Sequence, residues 1–298
     1  MKRLPFILLT SLLLPLPVRA WWPQGHTLIA EGAVRALPAE LPGWFRAGGS
    51  LIGHLAQDPD VFKSPQAPHA RETEEPEHYL DFELLKGKPL PATRYAYLKQ
   101  CATAGLDPKD VGTLPYSVAE WTERLTLAFA EHRKWPEDLN VRTKCQVYAG
   151  LLAHYSGDLC MPLHTTVDHD GRATPDGMSP RTGIHSRVDS LIEKSNLTPE
   201  ELGKDQQLEV APKLLPFILA EIERSRGQID RTYSLEAQLP PRAGEWKPSP
   251  EVLAFARERG REASRVTASL YLTAWSSSAR VKLPAWLDRA PQKAPNAR

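Results

Sequence analysis

Val147-Tyr148-Ala149-Gly150-Leu151-Leu152-Ala153-His154-Tyr155-Ser156-Gly157-Asp158-Leu159-Cys160-Met161-Pro162-Leu163-His164 reads as one helix to about Leu159, stopped by Pro162. His154 and Asp158 stand four apart, so the helix puts both on one face. His164 follows just past the break. The same spacing recurs in His185-Ser186-Arg187-Val188-Asp189. Imidazole nitrogen and carboxylate oxygen one turn apart can grip a zinc ion together. Either pair alone is more often a surface hydrogen bond, and a lone His26 or His78 is ordinarily a satisfied core or polar residue. Taken together they point to metal.

Outward from this segment the pattern stays helical. His26, Ile29, Ala30, Ala33, Val34 and Leu37 recur at helical spacing and predict a buried face from about Gly25 to Leu37. Ser117-Val118-Ala119-Glu120 reads as a capping box opening a helix whose Val118, Trp121, Leu125 and Phe129 share a face. Ile184, Val188, Leu191 and Ile192 define another amphipathic helix. Thr198-Pro199-Glu200-Glu201 and Ser249-Pro250-Glu251 are start signals, the second for a long helix ending near Trp275. Proline-rich stretches at 63–76, 168–182 and 239–248 read as loops, and no segment alternates like a strand. The expectation is an all-α fold: one helical domain over 21–280 and a proline-rich, mildly basic tail over 281–298.

Composition narrows the function. With 37 Lys plus Arg against 36 Asp plus Glu, the chain is neither a basic nucleic-acid coat nor an acidic disordered tail. Its length and 41% hydrophobic content suit a globular protein with a large core. Three cysteines are too few for a disulfide scaffold; Cys101 and Cys145 could pair, and Cys160 stands inside the histidine motif. Residues 1–20 carry Lys2 and Arg3, an apolar run from Leu4 to Leu16, and small residues at Val18 and Ala20. That is the pattern of a secretory signal peptide, too short to span a bilayer comfortably. It predicts export to the periplasm or medium and a new terminus at Trp21.

The segment His154 to His164, with Trp21 at the predicted terminus and Gly25-His26 soon after, resembles the S-one/P-one nuclease family and its relatives, the zinc-dependent phospholipases C. The resemblance runs from Trp21 through the last helix and implies three zinc ions. Asp60, His78, His154 and Asp158 would hold the first, with Asp58 competing for the Asp60 role. His164, His185 and Asp189 would hold the second. The amine and carbonyl of Trp21, His26 and a bridging Asp158 would hold the third. Asp60 is favoured over Asp58 because Lys63 follows it by three positions, where the nucleases carry a basic residue, more often arginine. Lysine is a weaker phosphate clamp because it lacks arginine's bidentate fork.

Catalysis would rest on Asp60, Asp158 and Lys63. Three zinc ions bring about +6 and three aspartates return about −3, so the pocket stays cationic and favours an anionic phosphodiester. A water between two zincs would have its pKa lowered to roughly 7, and the hydroxide would attack phosphorus. Tyr79 and Asp81 stand where related nucleases stack on a base and bind its edge, and Asp189 stands where the phospholipases typically have glutamate. The last helix, from Arg265 to Trp275, is closer to the phospholipase branch, and Cys160-Met161 departs from the nuclease pattern. The first reading is therefore a monomeric nuclease acting on single-stranded nucleic acid, with no stable protein partner. The alternative is a phospholipase C acting on phospholipid. A purely structural zinc protein and a metal-free helical binding module are further alternatives. Ligands of His, Asp and amine type speak against both.

Overall fold

The computed structural model describes residues 21–175, 177–242 and 244–288. Among them the regular structure is entirely helical, and the sole β-type pairing is an isolated bridge between His169 and Gly171. Three long helices, Leu114–Lys134, Leu139–Leu159 and Pro250–Ser278, pack on one another. The Pro23–Arg35 helix lies against the last of these and against the short helices Gly49–Leu55 and Pro199–Gly203. The predicted signal peptide and most of the predicted tail lie outside the described residues. No helix among those described is long and apolar enough to cross a membrane.

Two of the three long helices begin where a side chain satisfies free backbone N–H groups. Asp138 accepts from Asn140 N and Val141 N at 2.9 and 3.3 Å, and Ser249 accepts from Val252 N at 3.3 Å with Pro250 in the first turn. Thr198 and Glu201 complete a capping box. Small residues on the inner face of the 250–278 helix let its neighbours approach, and polar ones among them are paired. Ser264 donates to Ile29 O at 3.0 Å, Thr267 meets Ser156 at 2.7 Å, and the Tyr271 hydroxyl donates to Ala149 O at 2.8 Å. Phe45, Phe129, Tyr271 and Phe255 are fully buried in this core. A smaller cluster of Leu80, Leu85, Tyr97, Cys101, Val111 and Tyr116 lies apart from it.

Several expectations are corrected. Ser117 caps nothing: the helix begins at Leu114, and the Ser117 hydroxyl turns instead to the Glu77 carboxylate. The stretch 63–76 is not a loop, because Pro68 and Pro76 each occupy a first turn, where proline's missing N–H costs no bond. It forms the Pro68–Glu74 helix and a 3-10 turn, Glu75–His78. The helix expected through Ile192 is two, Ile184–Asp189 and Leu191–Lys194, and the last long helix runs three residues past Trp275. Cys101 and Cys145 do not pair: all three cysteines are free and buried, and those two belong to different cores.

Candidate metal centre

The 139–159 helix carries the heart of the site. His154 and Asp158, one turn apart, are both fully buried, with His154 Nε2 3.3 Å from Asp158 Oδ2. The His154 ring is held by its other nitrogen, Nδ1, 2.8 Å from the carbonyl of Ala56, just past the Gly49–Leu55 helix. His26, from the first helix, stacks on His154 with ring centres 3.9 Å apart and 18° between planes. Gly157 makes room for it: a Cβ there would lie 3.2 Å from His26 Nδ1. The backbone of Leu80 donates to His164 O at 2.9 Å, tying the His78 turn to the Pro162–Thr165 turn that bears His164. Asp170 Oδ1 accepts from Gly183 N at 2.7 Å and from His185 N at 3.2 Å, anchoring the start of the helix with His185 and Asp189.

Asp158 meets four imidazoles, two on each oxygen. Oδ2 lies 3.0 Å from His78 Nδ1 and 3.3 Å from His154 Nε2; Oδ1 lies 3.4 Å from His26 Nε2 and 3.5 Å from His164 Nδ1. His164 and His185 face each other through their Nε2 atoms at 3.0 Å, and His185 Nε2 is 3.2 Å from Asp189 Oδ2. Among the described residues, three groups of side chains bring ligand atoms within 4.8 Å of one another. They are Asp60 with His78 and His154, His26 with His154 and Asp158, and His164 with His185 and Asp189. These groups could hold metal ions.

The electrostatics fit a cation. Burial drives the His26 and His185 pKa values down to about 3 and that of His154 to about 4, and puts His78 and His164 well below their ordinary range. Neutral imidazoles with free lone pairs are what a metal requires. The same burial pushes the Asp158 and Asp189 carboxyls well above the usual carboxylate range. Burial would also raise Asp60, but His154, and Lys63 with Nζ at 2.6 Å, outweigh it and hold that carboxyl low. Both nitrogens of His26, Asp158 Oδ1 and both oxygens of Asp189 are buried without a hydrogen bond. Each such atom costs about 1–3 kcal/mol unless something satisfies it. A divalent cation would satisfy them and invert the carboxyl shifts, so the donor set fits zinc.

The remaining sequence-derived residues fall into place unevenly. Trp21 is fully buried, its indole Nε1 donating to Gly157 O at 3.0 Å, and Trp22 N donates to Asp189 O at 3.2 Å. Asp60, not Asp58, joins the histidines. Lys63 is buried against Asp60. Tyr79 and Asp81 are neighbours, the Asp81 charge adding to burial in raising the Tyr79 hydroxyl. Tyr79 lines a cavity of about 440 Å³ with Pro68, Arg71, Glu75 and Lys109, and its hydroxyl donates to the Lys109 carbonyl. Asp81 is buried and is not on that wall, nor is any of the clustered ligands. Sequence reading missed Glu74 and Tyr155. Glu74 Oε1 lies 3.3 Å from His78 Nε2 and accepts from the Tyr155 hydroxyl at 2.5 Å. The four-residue step from Glu74 to His78 was the available signal, hidden by Pro76 between them.

No protein-family model matches the sequence, and no curated protein matches it. Among solved structures the chain is similar to the alpha toxin from Clostridium absonum, at 14% identity and a TM-score of 0.48. The match covers 86% of this chain and 64% of the toxin chain, so this chain spans less than two thirds of the toxin's length.

Proposed function

We propose that this chain is a zinc-dependent hydrolase of phosphodiester bonds, with nucleic acid as its substrate. The observation that carries the reading is that His154 belongs to two neighbouring ligand groups, while the fully buried Asp158 carboxyl reaches histidines of all three. A structural zinc site ordinarily closes on four protein ligands, often thiolates. Here the donors are imidazole and carboxylate, and the three cysteines stand outside the groups.

In this reading Asp60, His78, His154 and Asp158 hold one ion, His164, His185 and Asp189 a second, and His26, Asp158 and the amine and carbonyl of Trp21 a third. When bound, zinc supplies Lewis acidity and acidifies a coordinated water towards neutrality. The chain's own residues do the rest. Asp158 turns one oxygen to His78 and His154 and the other to His26 and His164, an arrangement suited to spanning two ions. Lys63, buried at the Asp60 edge, supplies a point charge for a phosphate oxygen. Tyr79 offers a ring beside an accessible cavity, where stacking of one base is worth about 1–3 kcal/mol. Export after removal of residues 1–20 would free the Trp21 amine.

One observation favours phospholipid instead. Val61 and Phe62, between Asp60 and Lys63, are 63% and 39% exposed, an apolar pair beside the polar cluster that suits a lipid surface. A single zinc-loaded preparation offered single-stranded nucleic acid and phosphatidylcholine vesicles decides between them. Cleavage of nucleic acid, with nucleotide affinity about tenfold or more weaker in Tyr79→Ala at unchanged zinc content, is the expected result. Rapid hydrolysis of the choline lipid with nucleic acid untouched would overturn the nuclease reading.

A further inference from the structure

We infer that Arg226 and Glu83 form a clasp that positions His164 by holding the turn on which it stands. The inference rests on the ligand set proposed above, in which His164 joins His185 and Asp189. His164 lies in the four-residue 3-10 turn Pro162–Thr165. Such a turn has few bonds of its own and poor hydrogen-bond geometry, so its direction is set from outside. That direction matters, because the one imidazole faces two neighbours. Its Nδ1 is 3.5 Å from Asp158 Oδ1 and its Nε2 is 3.0 Å from His185 Nε2. A small rotation of the turn would spoil one approach or the other.

The clasp grips three successive residues after His164. Arg226 ends the Leu214–Arg226 helix, and its Nη1 donates to Thr165 O at 2.5 Å. Its Nη2 lies 3.1 Å from Oε1 of Glu83, in the 3-10 turn Phe82–Leu85. The Glu83 carboxylate in turn accepts from the Thr166 hydroxyl at 3.2 Å and from Val167 N at 3.1 Å. The ring of Phe82 lies under the guanidinium, 4.6 Å from its central carbon to the ring centre. On the near side Leu80 N already holds the His164 carbonyl at 2.9 Å. The segment from Leu80 to Glu83, with Arg226, therefore fixes the chain at His164 and at each of the next three residues.

The chemistry of the two side chains suits this task. A guanidinium is a planar fork that donates in two fixed directions at once, here to a carbonyl and to a carboxylate. A lysine ammonium is a single point of charge on a flexible stem and holds no such plane. Thr165 is wholly buried, so Arg226 and not water answers its carbonyl in the folded chain. A merely architectural clasp predicts that its loss lowers Tm and leaves zinc affinity alone, or weakens every zinc alike.

The test is zinc competition against a chromophoric chelator, with thermal unfolding of the metal-free proteins alongside. Arg226→Ala should weaken one zinc about 10–100-fold and leave the others at wild-type affinity. Arg226→Lys should fall between, and it carries the comparison should the alanine variant not fold. His164→Ala supplies the background that separates the two roles. With that ligand gone, adding Arg226→Ala should cost no further zinc, because a residue that acts through His164 has nothing left to act on. Further loss of zinc in the double variant, equal weakening of every zinc, or wild-type affinity in both Arg226 variants would each overturn the inference while leaving the metal centre standing. Wild-type protein that binds no zinc would overturn the ligand set and the inference together.

Discussion

Gly150→Ala is a sharp test of how the helices bring the site together. In most helix interiors this exchange stabilises by about 0.8–1.0 kcal/mol. Here a Cβ would lie 2.5 Å from Leu55 Cβ and 3.0 Å from Ile52 O. Unstrained carbon contacts lie at about 3.5–4.0 Å, so the two helices must part by roughly 1 Å. Overpacking of this kind costs about 1–3 kcal/mol, and the upper end applies because a backbone, not a pliable side-chain tip, stands in the way. The same shift pulls Ala56 O from His154 Nδ1, now 2.8 Å apart, and a lost bond adds about 1 kcal/mol. The net loss is about 2–3 kcal/mol, a fall in Tm of roughly 4–10 °C. Thermal unfolding followed by circular dichroism measures it. Gly49→Ala, where the new Cβ meets only the Val34 side chain at an ordinary 3.6 and 3.8 Å, is the control and should be nearly neutral. A Gly150→Ala protein as stable as wild type would refute the close approach of these two helices.

Three further outcomes are expected. Asp158→Asn should release more than one zinc and cut activity more than about 100-fold, beyond the effect of losing an outer partner, whereas Asp58→Asn should leave zinc content intact; metal analysis of the two variants checks it. Protein beginning at Trp21 should bind about one zinc more than protein with a few residues before it, because an amide nitrogen is a poor ligand where a free amine of pKa about 7.7–8.0 is a good one; equal zinc in both forms would remove Trp21 from the ligand set. Burial, and then Glu83, raise Asp81 to about 7, so the folded state holds a proton that the unfolded chain releases near pH 4. That contribution to stability is lost as pH rises through the window from about 4 to 7. Asp81→Asn should therefore gain on wild type in Tm across it, and a pH-independent difference would show that Asp81 is not the group responsible.

The helical character and the two histidine–aspartate pairs were legible because both depend on spacing that a helix preserves. His154 and Asp158 four apart, and His185 and Asp189 four apart, meet in space as written. The start of the central helix was less so: Arg142, Thr143, Lys144 and Gln146 interrupt the apolar pattern, and Asp138 caps it eleven residues before the segment's apolar run gathers at Ala149. Prolines misled at 63–76, where they start helices instead of ending them. Ser117 and Glu120 had the spacing of a cap, but Ser117 answers to Glu77, forty residues away, and Glu120 to Arg94. Glu74 and Tyr155 were invisible for the same reason. Their meeting depends on how a turn lies across a helix, and no local pattern records that. Of the expected Tyr79 and Asp81 subsite, Tyr79 lines the cavity and Asp81 is buried off its wall.

A working metal centre at the histidine–aspartate cluster must load metal and hydrolyse a phosphodiester together. Zinc titrated into metal-depleted protein beginning at Trp21, with bound metal and hydrolysis of a simple phosphodiester followed together, measures this directly. Activity should be absent without metal and should rise to a plateau as bound zinc approaches about three per chain. Full hydrolysis by protein holding no metal, or zinc binding that brings no hydrolysis, would contradict it.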